Sequence, residues 1–238
     1  GAIATFSVYL FLPKKLNFFH CLIVFLGVSL FFPASGVRPH VISFLMFSVS
    51  LVLLDRGFYK KPIHAIFWFL FFAVWGNVHR GAIVGFSFFG FWVFLNLLFE
   101  KSNKKVIFGQ IVPVFGALLG IFANPFFGQV WKHALLLEVT SHSNINFIQE
   151  WQPIALYFPF NLVFAFSGVL FVYLFWMRPK AIPPVLVLLG TLIFMLTFLV
   201  SFMVLFWAAF FLFVFLKKAD FKLDAPKGVV GIYYYFLS

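Results

Sequence analysis

The chain has 238 residues, of which 64% are hydrophobic, 24% are aromatic and only 10% are charged, and its formal net charge is +11. A water-soluble domain has about 25% charged residues, so this composition excludes a surface that is solvated by water alone. The Lys and Arg residues stand in short clusters between apolar runs, as in membrane loops, which argues against nucleic-acid binding. The single Cys21 excludes an intrachain disulfide.

The apolar runs have the length of membrane-spanning helices and lack the alternating pattern of barrel strands. The first run, residues 1–12, is too short to cross a bilayer. Because it begins with Gly, we expect the chain to be the remnant of a longer polypeptide. Longer runs predict membrane spans at residues 16–33, 38–54, 63–79, 81–99, 106–123 and 154–176.

The next stretch, residues 181–216, contains 36 residues without a charge. As one helix it would measure about 54 Å, which exceeds the hydrocarbon core of about 30 Å, so we predict two spans with a turn near residues 197–201. The predicted fold class is therefore all-α, a polytopic transmembrane helical bundle of about eight or nine membrane segments. Residues 1–216 would form the helical domain, and residues 217–238 a basic cytoplasmic tail.

The orientation follows from the Lys and Arg residues in alternate loops, because cytoplasmic loops are enriched in both. One set of loops holds fourteen of these residues, and the other holds only Arg38, Arg80 and Lys132. The first set is predicted to be cytoplasmic, in a multi-pass protein of a bacterial inner membrane. The opposite side then carries one long outer loop, residues 124–153, in which apolar residues from Phe126 to Leu137 recur at the spacing of an interfacial amphipathic helix.

Polar residues collect at the predicted outer ends of the spans, where ionisable groups are costly and therefore candidates for function. The candidates are Arg38, His40, Asn77, His79, Arg80, Asn124, Gln129, Lys132, His133, Glu150, Trp151 and Gln152. Arg38, Arg80 and Lys132 have the charge needed to bind the phosphate of a polyprenyl-phosphate donor at headgroup depth. Simpler roles compete with this one, because the Arg residues could extend to lipid headgroups, His79 could be a solvated turn residue, and the Trp residues could belong to an aromatic belt.

A metal site is a weaker hypothesis. The residues His79, His133, His142, Glu138 and Glu150 are suitable ligand types, but no pair has the short spacing of a helical zinc motif. We therefore predict no metal or other cofactor, with a divalent metal as the alternative.

Four strings, taken together and in order, are similar to those of a family of bacterial polytopic membrane proteins that resembles the GT-C glycosyltransferases. They are GVRPH at residues 36–40, WGNVHRG at 75–81, NPFFG at 124–128 and EWQP at 150–153. The resemblance covers roughly half of the chain and implies a multi-helix enzyme that transfers a sugar from a polyprenyl-phosphate donor on the non-cytoplasmic side. Arg38, Arg80 and Lys132 would then contact the donor phosphate, and the pocket would be lined by His40, Asn77, His79, Asn124, Trp151 and Gln152.

The GT-C enzymes also place a catalytic acidic residue in the first outer loop, after the first transmembrane helix. This chain has no such loop, and its first predicted outer acidic residues are Glu138 and Glu150. Glu150 is the candidate general base, since a base must reach the acceptor hydroxyl. The expectation is either a piece of the enzyme whose catalytic N-terminal region is missing, or a non-catalytic membrane subunit that scaffolds a larger complex. A transporter is a third alternative, although paired broken helices are not evident in the sequence.

Overall fold

The computed structural model describes residues 2–13, 18–31, 40–99, 104–125, 128, 159–177, 182–199 and 203–218. Within these ranges the regular structure is helical and contains no strand, so the predicted all-α class is confirmed. Helices α1 to α6 are Ala2–Tyr9, Phe18–Phe31, His40–Asp55, His64–Val78, Ala82–Phe99 and Lys104–Phe122. Helices α7 to α9 are Phe160–Met177, Pro184–Leu199 and Val204–Phe213, and a π-helical turn, Val214–Lys218, extends α9.

The helices lie where the apolar runs of the sequence predict them. The charge-free stretch 181–216 is divided between α8, which ends at Leu199, and α9, which begins at Val204. By length and composition, α5 and α6 could each cross a membrane, whereas most of the other apolar helices have 10–17 residues. In length and composition, these two helices are compatible with association with a membrane. The interfacial helix predicted after Asn124 lies outside the described residues, apart from Gly128.

Helix α9 forms the centre of the bundle. It packs against α2, α3 and α8, and every residue from Val204 to Leu216 is buried. A helix that is apolar on all sides has no face suited to water, so it must be surrounded by other helices or by lipid, and here other helices surround it. The one polar hydrogen of the Trp207 side chain is satisfied, because its indole N–H donates to Ser167 Oγ of α7 at 2.7 Å.

Helices α4 and α6 form the most closely packed pair, because glycines of α6 face the backbone of α4. A Cβ atom at Gly116 would collide with the carbonyl oxygen of Ala65, and one at Gly120 would collide with that of Phe69. Small residues four apart allow helix backbones to approach closely, as they do in membrane proteins. A neighbouring face of α4 remains apolar and exposed, with Ile66, Leu70 and Val74 between 57% and 61% exposed.

Candidate functional site

Four helix termini meet at one end of the bundle and bring together five of the predicted polar residues. Consecutive helices run in opposite directions here, so the beginnings of α3 and α5 and the ends of α4 and α6 share that end. The His40 and His79 rings lie 4.6 Å apart between centroids and are tilted by 51°. We call this group, consisting of His40, Asn77, His79, Arg80 and Asn124, the histidine end.

His79 is held in place by its backbone and by its ring. It is the residue after the last residue of α4, its backbone is extended, and its N–H donates to the carbonyl of Trp75 at 2.9 Å. The N–H of Gly81 donates to His79 Nδ1 at 3.0 Å. Ser43 Oγ of α3 lies 2.7 Å from the same Nδ1 atom. The imidazole therefore joins the turn of residues 79–81 to the first turn of α3.

These contacts determine which ring nitrogen carries the proton. A backbone N–H can only donate, so Nδ1 of His79 must accept from Gly81 and is unprotonated. The indole N–H of Trp75 donates to Ser43 Oγ at 2.9 Å, which leaves the hydroxyl hydrogen of Ser43 to be donated to Nδ1. In neutral His79 the proton is consequently on Nε2, where it can be donated to a ligand.

The same surroundings disfavour the charged form of the imidazole. Burial, together with the smaller effects of the neighbouring His40 and Arg80, lowers the pKa of His79 to about 4. Protonation of Nδ1 would also place a second hydrogen opposite the N–H of Gly81. His79 is therefore neutral at pH 7, and it acts as a hydrogen-bond donor through Nε2 without carrying a charge.

Gly81 and Gly85 have no side chain, and the groups around His79 and Trp75 occupy the space that a side chain would fill. A Cβ atom at Gly81 would lie 2.5 Å from Ser43 Oγ and 2.8 Å from His79 Nδ1, which is closer than atoms can approach. A Cβ atom at Gly85, one turn further along α5, would collide with the ring of Trp75. Gly81, the last residue of the WGNVHRG string, and Gly85, four positions after it, thus have a packing reason in this structure.

Asn77 connects the end of α4 to the end of α6. Its side-chain amide donates to the carbonyl of Ala73 at 2.7 Å and to the carbonyl of Ala123 at 2.9 Å. Asn124, which follows Ala123 in the chain, donates a hydrogen bond from its side-chain amide to the carbonyl of Ile121 at 3.2 Å. Asn77 and Asn124 are therefore brought to the same end, and the direct role of Asn77 is to join two helices.

The structure describes five of the ten predicted site residues. His40, Asn77, His79, Arg80 and Asn124 share the histidine end, and the Arg80 side chain is exposed there. The others lie outside the described residues: Arg38, Lys132, Glu150, Trp151 and Gln152. Of the alternative metal ligands, only His79 is described, and its Nδ1 atom is already occupied by Gly81 and Ser43.

Ser43 and Trp75 were not among the predicted site residues, although both hold His79. A signal for Ser43 existed, because it follows His40 by three positions and therefore lies on the same face of α3. Trp75 precedes His79 by four positions, which is the spacing of neighbours on one helix face. The sequence does not show that the indole N–H of Trp75 points toward α3.

An apolar cleft of about 390 Å³ lies between α3, α5, α8 and α9. One wall is formed by Ile83, Val84 and Ser87, in the first turns of α5, directly after the turn of residues 79–81. Leu199 and Met203, at the end of α8 and the beginning of α9, contribute to the facing wall. The cleft thus lies in the half of the bundle that ends at the histidine end, and Ser87 is the one polar residue in its lining.

No protein-family model, curated protein or solved structure matches the chain.

Proposed function

We propose that the chain is a multi-pass membrane glycosyltransferase of the GT-C kind, or its membrane core, and that it binds a polyprenyl-phosphate-linked sugar at the histidine end. The observation that supports this proposal is that side chains able to donate hydrogen bonds to a phosphate lie next to an apolar cleft that could hold a lipid chain. His79 and Arg80 lie in the turn from which α5 begins, and Ile83 and Val84 of the cleft follow within the first turn of that helix.

A membrane location with eight or nine crossings is part of the proposal. The exposed faces of the helices support it, because large apolar side chains on α4, α6 and α7 are more than half exposed, among them Leu70, Phe115 and Val172. Apolar patches of this extent are unusual on soluble monomers. The distribution of Lys and Arg residues supports a location of the histidine end on the non-cytoplasmic side of a bacterial inner membrane.

In this proposal the phosphate of the donor is bound by Arg80 and by the Nε2–H of His79, together with Arg38 and Lys132. An Arg side chain can make two parallel hydrogen bonds to a phosphate, and a neutral imidazole adds a donor without the cost of burying another charge. The polyprenyl chain would follow the apolar cleft. The neighbouring His40, Asn77, Asn124, Trp151 and Gln152 would line the pocket for the sugar.

The reaction that fits this arrangement is transfer of the sugar to an acceptor hydroxyl. Glu150 would remove the proton of that hydroxyl, whose oxygen forms a bond to the anomeric carbon of the sugar while the bond from that carbon to the phosphate oxygen breaks. The leaving group is polyprenyl phosphate, whose negative charge Arg80, Arg38 and Lys132 would stabilise.

A non-catalytic subunit is the second candidate, and one sequence observation favours it. The outer segments contain only Glu138 and Glu150 as carboxylates, and neither follows the first span, where the GT-C enzymes place their acidic residue. Such a subunit would retain the lipid-phosphate site and would lack the transfer reaction.

Both candidate functions require a lipid-phosphate site at the histidine end. Binding of undecaprenyl phosphate to the purified chain in detergent tests that site. We expect Arg80→Gln to weaken binding roughly ten-fold, because a hydrogen bond to a charged group contributes about 1.5–3 kcal/mol. Lys104→Gln, which removes one exposed charge at the opposite end, is the control and should bind like the wild type. Arg38→Gln should resemble Arg80→Gln. Equal binding by all four proteins would refute the phosphate site.

The cleft and the reaction require separate variants. Val84→Trp fills the cleft and should abolish binding of the polyprenyl chain, whereas Val74→Trp, at a side chain that is 60% exposed on α4, should not. Glu150→Gln should abolish transfer of a radiolabelled sugar from its polyprenyl phosphate and leave binding intact. A wild-type chain that binds the lipid and transfers no sugar would favour the non-catalytic subunit.

A further inference from the structure

A second cavity lies at the end of the bundle opposite to the histidine end. Its volume is about 490 Å³, and it lies beside the turn between α3 and α4 and the second half of α5. Three cationic residues, Arg56, Lys60 and Lys61, line it together with one carboxylate, Asp55. We call this group the basic end. The charged residues of the lining therefore carry a net charge of +2, a surplus of two positive charges at the cavity.

The turn that carries these cations is fixed by several contacts. Gly57 has a φ of +71°, a conformation that side chains rarely adopt. The indole N–H of Trp68 donates to the carbonyl of Phe58 at 2.7 Å, and the Phe58 ring stacks on His64 with centroids 4.0 Å apart. On the α6 side, a Cβ atom at Gly109 would lie 2.8 Å from the carbonyl oxygen of Lys60. The cavity is therefore part of a packed structure.

Two of the lining residues each have a buried polar atom that lacks a partner in the part of the chain that the structure describes. These atoms are Nε1 of Trp92, whose side chain is only 6% exposed, and Nδ1 of His64. An indole N–H can only donate, so its missing partner must be an acceptor. Leaving such a donor buried and unpaired is costly, and an acceptor that enters this cavity would also meet the surplus positive charge.

From these observations we propose that the cavity at the basic end binds a phosphate group, either of an anionic lipid headgroup or as free phosphate. The phosphate oxygens would accept a hydrogen bond from Trp92 Nε1 and ion pairs from Arg56 and Lys61. Basic pockets between helices on the cytoplasmic side are suited to anionic headgroups, because that leaflet is negatively charged. This site is separate from the proposed donor site and does not depend on sugar transfer.

Two variants remove the proposed contacts, and the variant that removes charges has a matched control. Trp92→Phe keeps an aromatic ring and deletes the N–H, so we expect it to weaken binding roughly ten-fold. Arg56→Gln combined with Lys61→Gln should weaken binding by about five-fold for each charge. Lys104→Gln combined with Lys105→Gln removes two exposed charges at the same end without altering the cavity lining, and it should bind like the wild type.

The experiment uses the purified full chain in detergent and two probes, dioleoyl phosphatidylglycerol and inorganic phosphate, with retained lipid counted by native mass spectrometry. Retention of phosphatidylglycerol that depends on Trp92, Arg56 and Lys61 supports a lipid headgroup as the ligand. Phosphate binding with the same dependence, in the absence of lipid retention, supports free phosphate. Binding of neither probe, or equal loss in the Lys104 and Lys105 control, would overturn the proposal. Undecaprenyl phosphate binding should be unchanged in Trp92→Phe, which separates this site from the donor site.

Discussion

Nδ1 of His79 lies 2.7 Å from Ser43 Oγ, although the two residues are 36 positions apart in the chain. The hydroxyl accepts from Trp75 and donates to His79, so it joins α3 to the last turn of α4 and to the residue that follows this helix. Through this one side chain, the first turn of α3 helps to hold the imidazole in the tautomer that the N–H of Gly81 requires.

Ser43→Ala should therefore destabilise the protein more than an equivalent change elsewhere on α3. It leaves the Trp75 N–H buried without an acceptor, which costs about 1–3 kcal/mol. Ser48, also on α3 and fully buried, donates only to the carbonyl of Phe44 within its own helix. Ser48→Ala should consequently lower the thermal unfolding midpoint in detergent by much less. Equal midpoints for the two variants would contradict the assigned role of Ser43.

His79 predicts a pH dependence of stability. Its pKa is about 4 in the folded chain and about 6.5 when unfolded, so the unfolded chain binds the proton more readily. The contribution to stability is complete above pH 6.5 and is lost as the pH falls toward 4. His79→Asn keeps an acceptor for Gly81 and cannot titrate in this range, so its unfolding midpoint should fall less between pH 6.5 and 4. Parallel pH curves for wild type and variant would show that His79 is not the responsible group.

The packing of α4 against α6 predicts opposite effects of two Gly→Ala changes. Gly120→Ala places a Cβ atom against the Phe69 carbonyl and should lower the free energy of unfolding by about 1–3 kcal/mol. Gly90→Ala, in α5, meets nothing within 4 Å and should raise it by about 0.5–1 kcal/mol through the helix propensity of Ala. Unfolding midpoints measured side by side check both signs, and destabilisation by Gly90→Ala would contradict this account.

Gln110 of α6 is fully buried, and neither polar atom of its side chain has a hydrogen-bond partner within the described residues. Replacement by Met, which has a similar shape and no such atoms, should raise the free energy of unfolding by about 1–3 kcal/mol. Gln110→Glu would bury a charge and should lower it. A lower unfolding midpoint for Gln110→Met would indicate that this amide has a partner or ligand.

The sequence was sufficient to predict where the helices lie. Clusters such as Arg56 to Lys61 separate the apolar runs, and strict alternation of direction then brings His40, Asn77, His79 and Asn124 to one end. It was insufficient to identify α9 as the central helix, because the neighbouring helices are nearly as apolar on all sides and no polar face indicates which one is surrounded. The hydrogen bonds of Ser43 and the cavity beside Trp92 depend on how helices rotate and pack, which apolar periodicity does not determine.

The proposals for both ends depend on the two ends facing opposite sides of a membrane. In a Cys21→Ser background, single cysteines at Arg80 and at Lys61 can be probed with a membrane-impermeant maleimide on spheroplasts, before and after permeabilisation. We expect Arg80→Cys to react in intact spheroplasts and Lys61→Cys to react only after permeabilisation. Reaction of both positions from the same side would contradict the membrane topology and, with it, the proposed donor site at the histidine end.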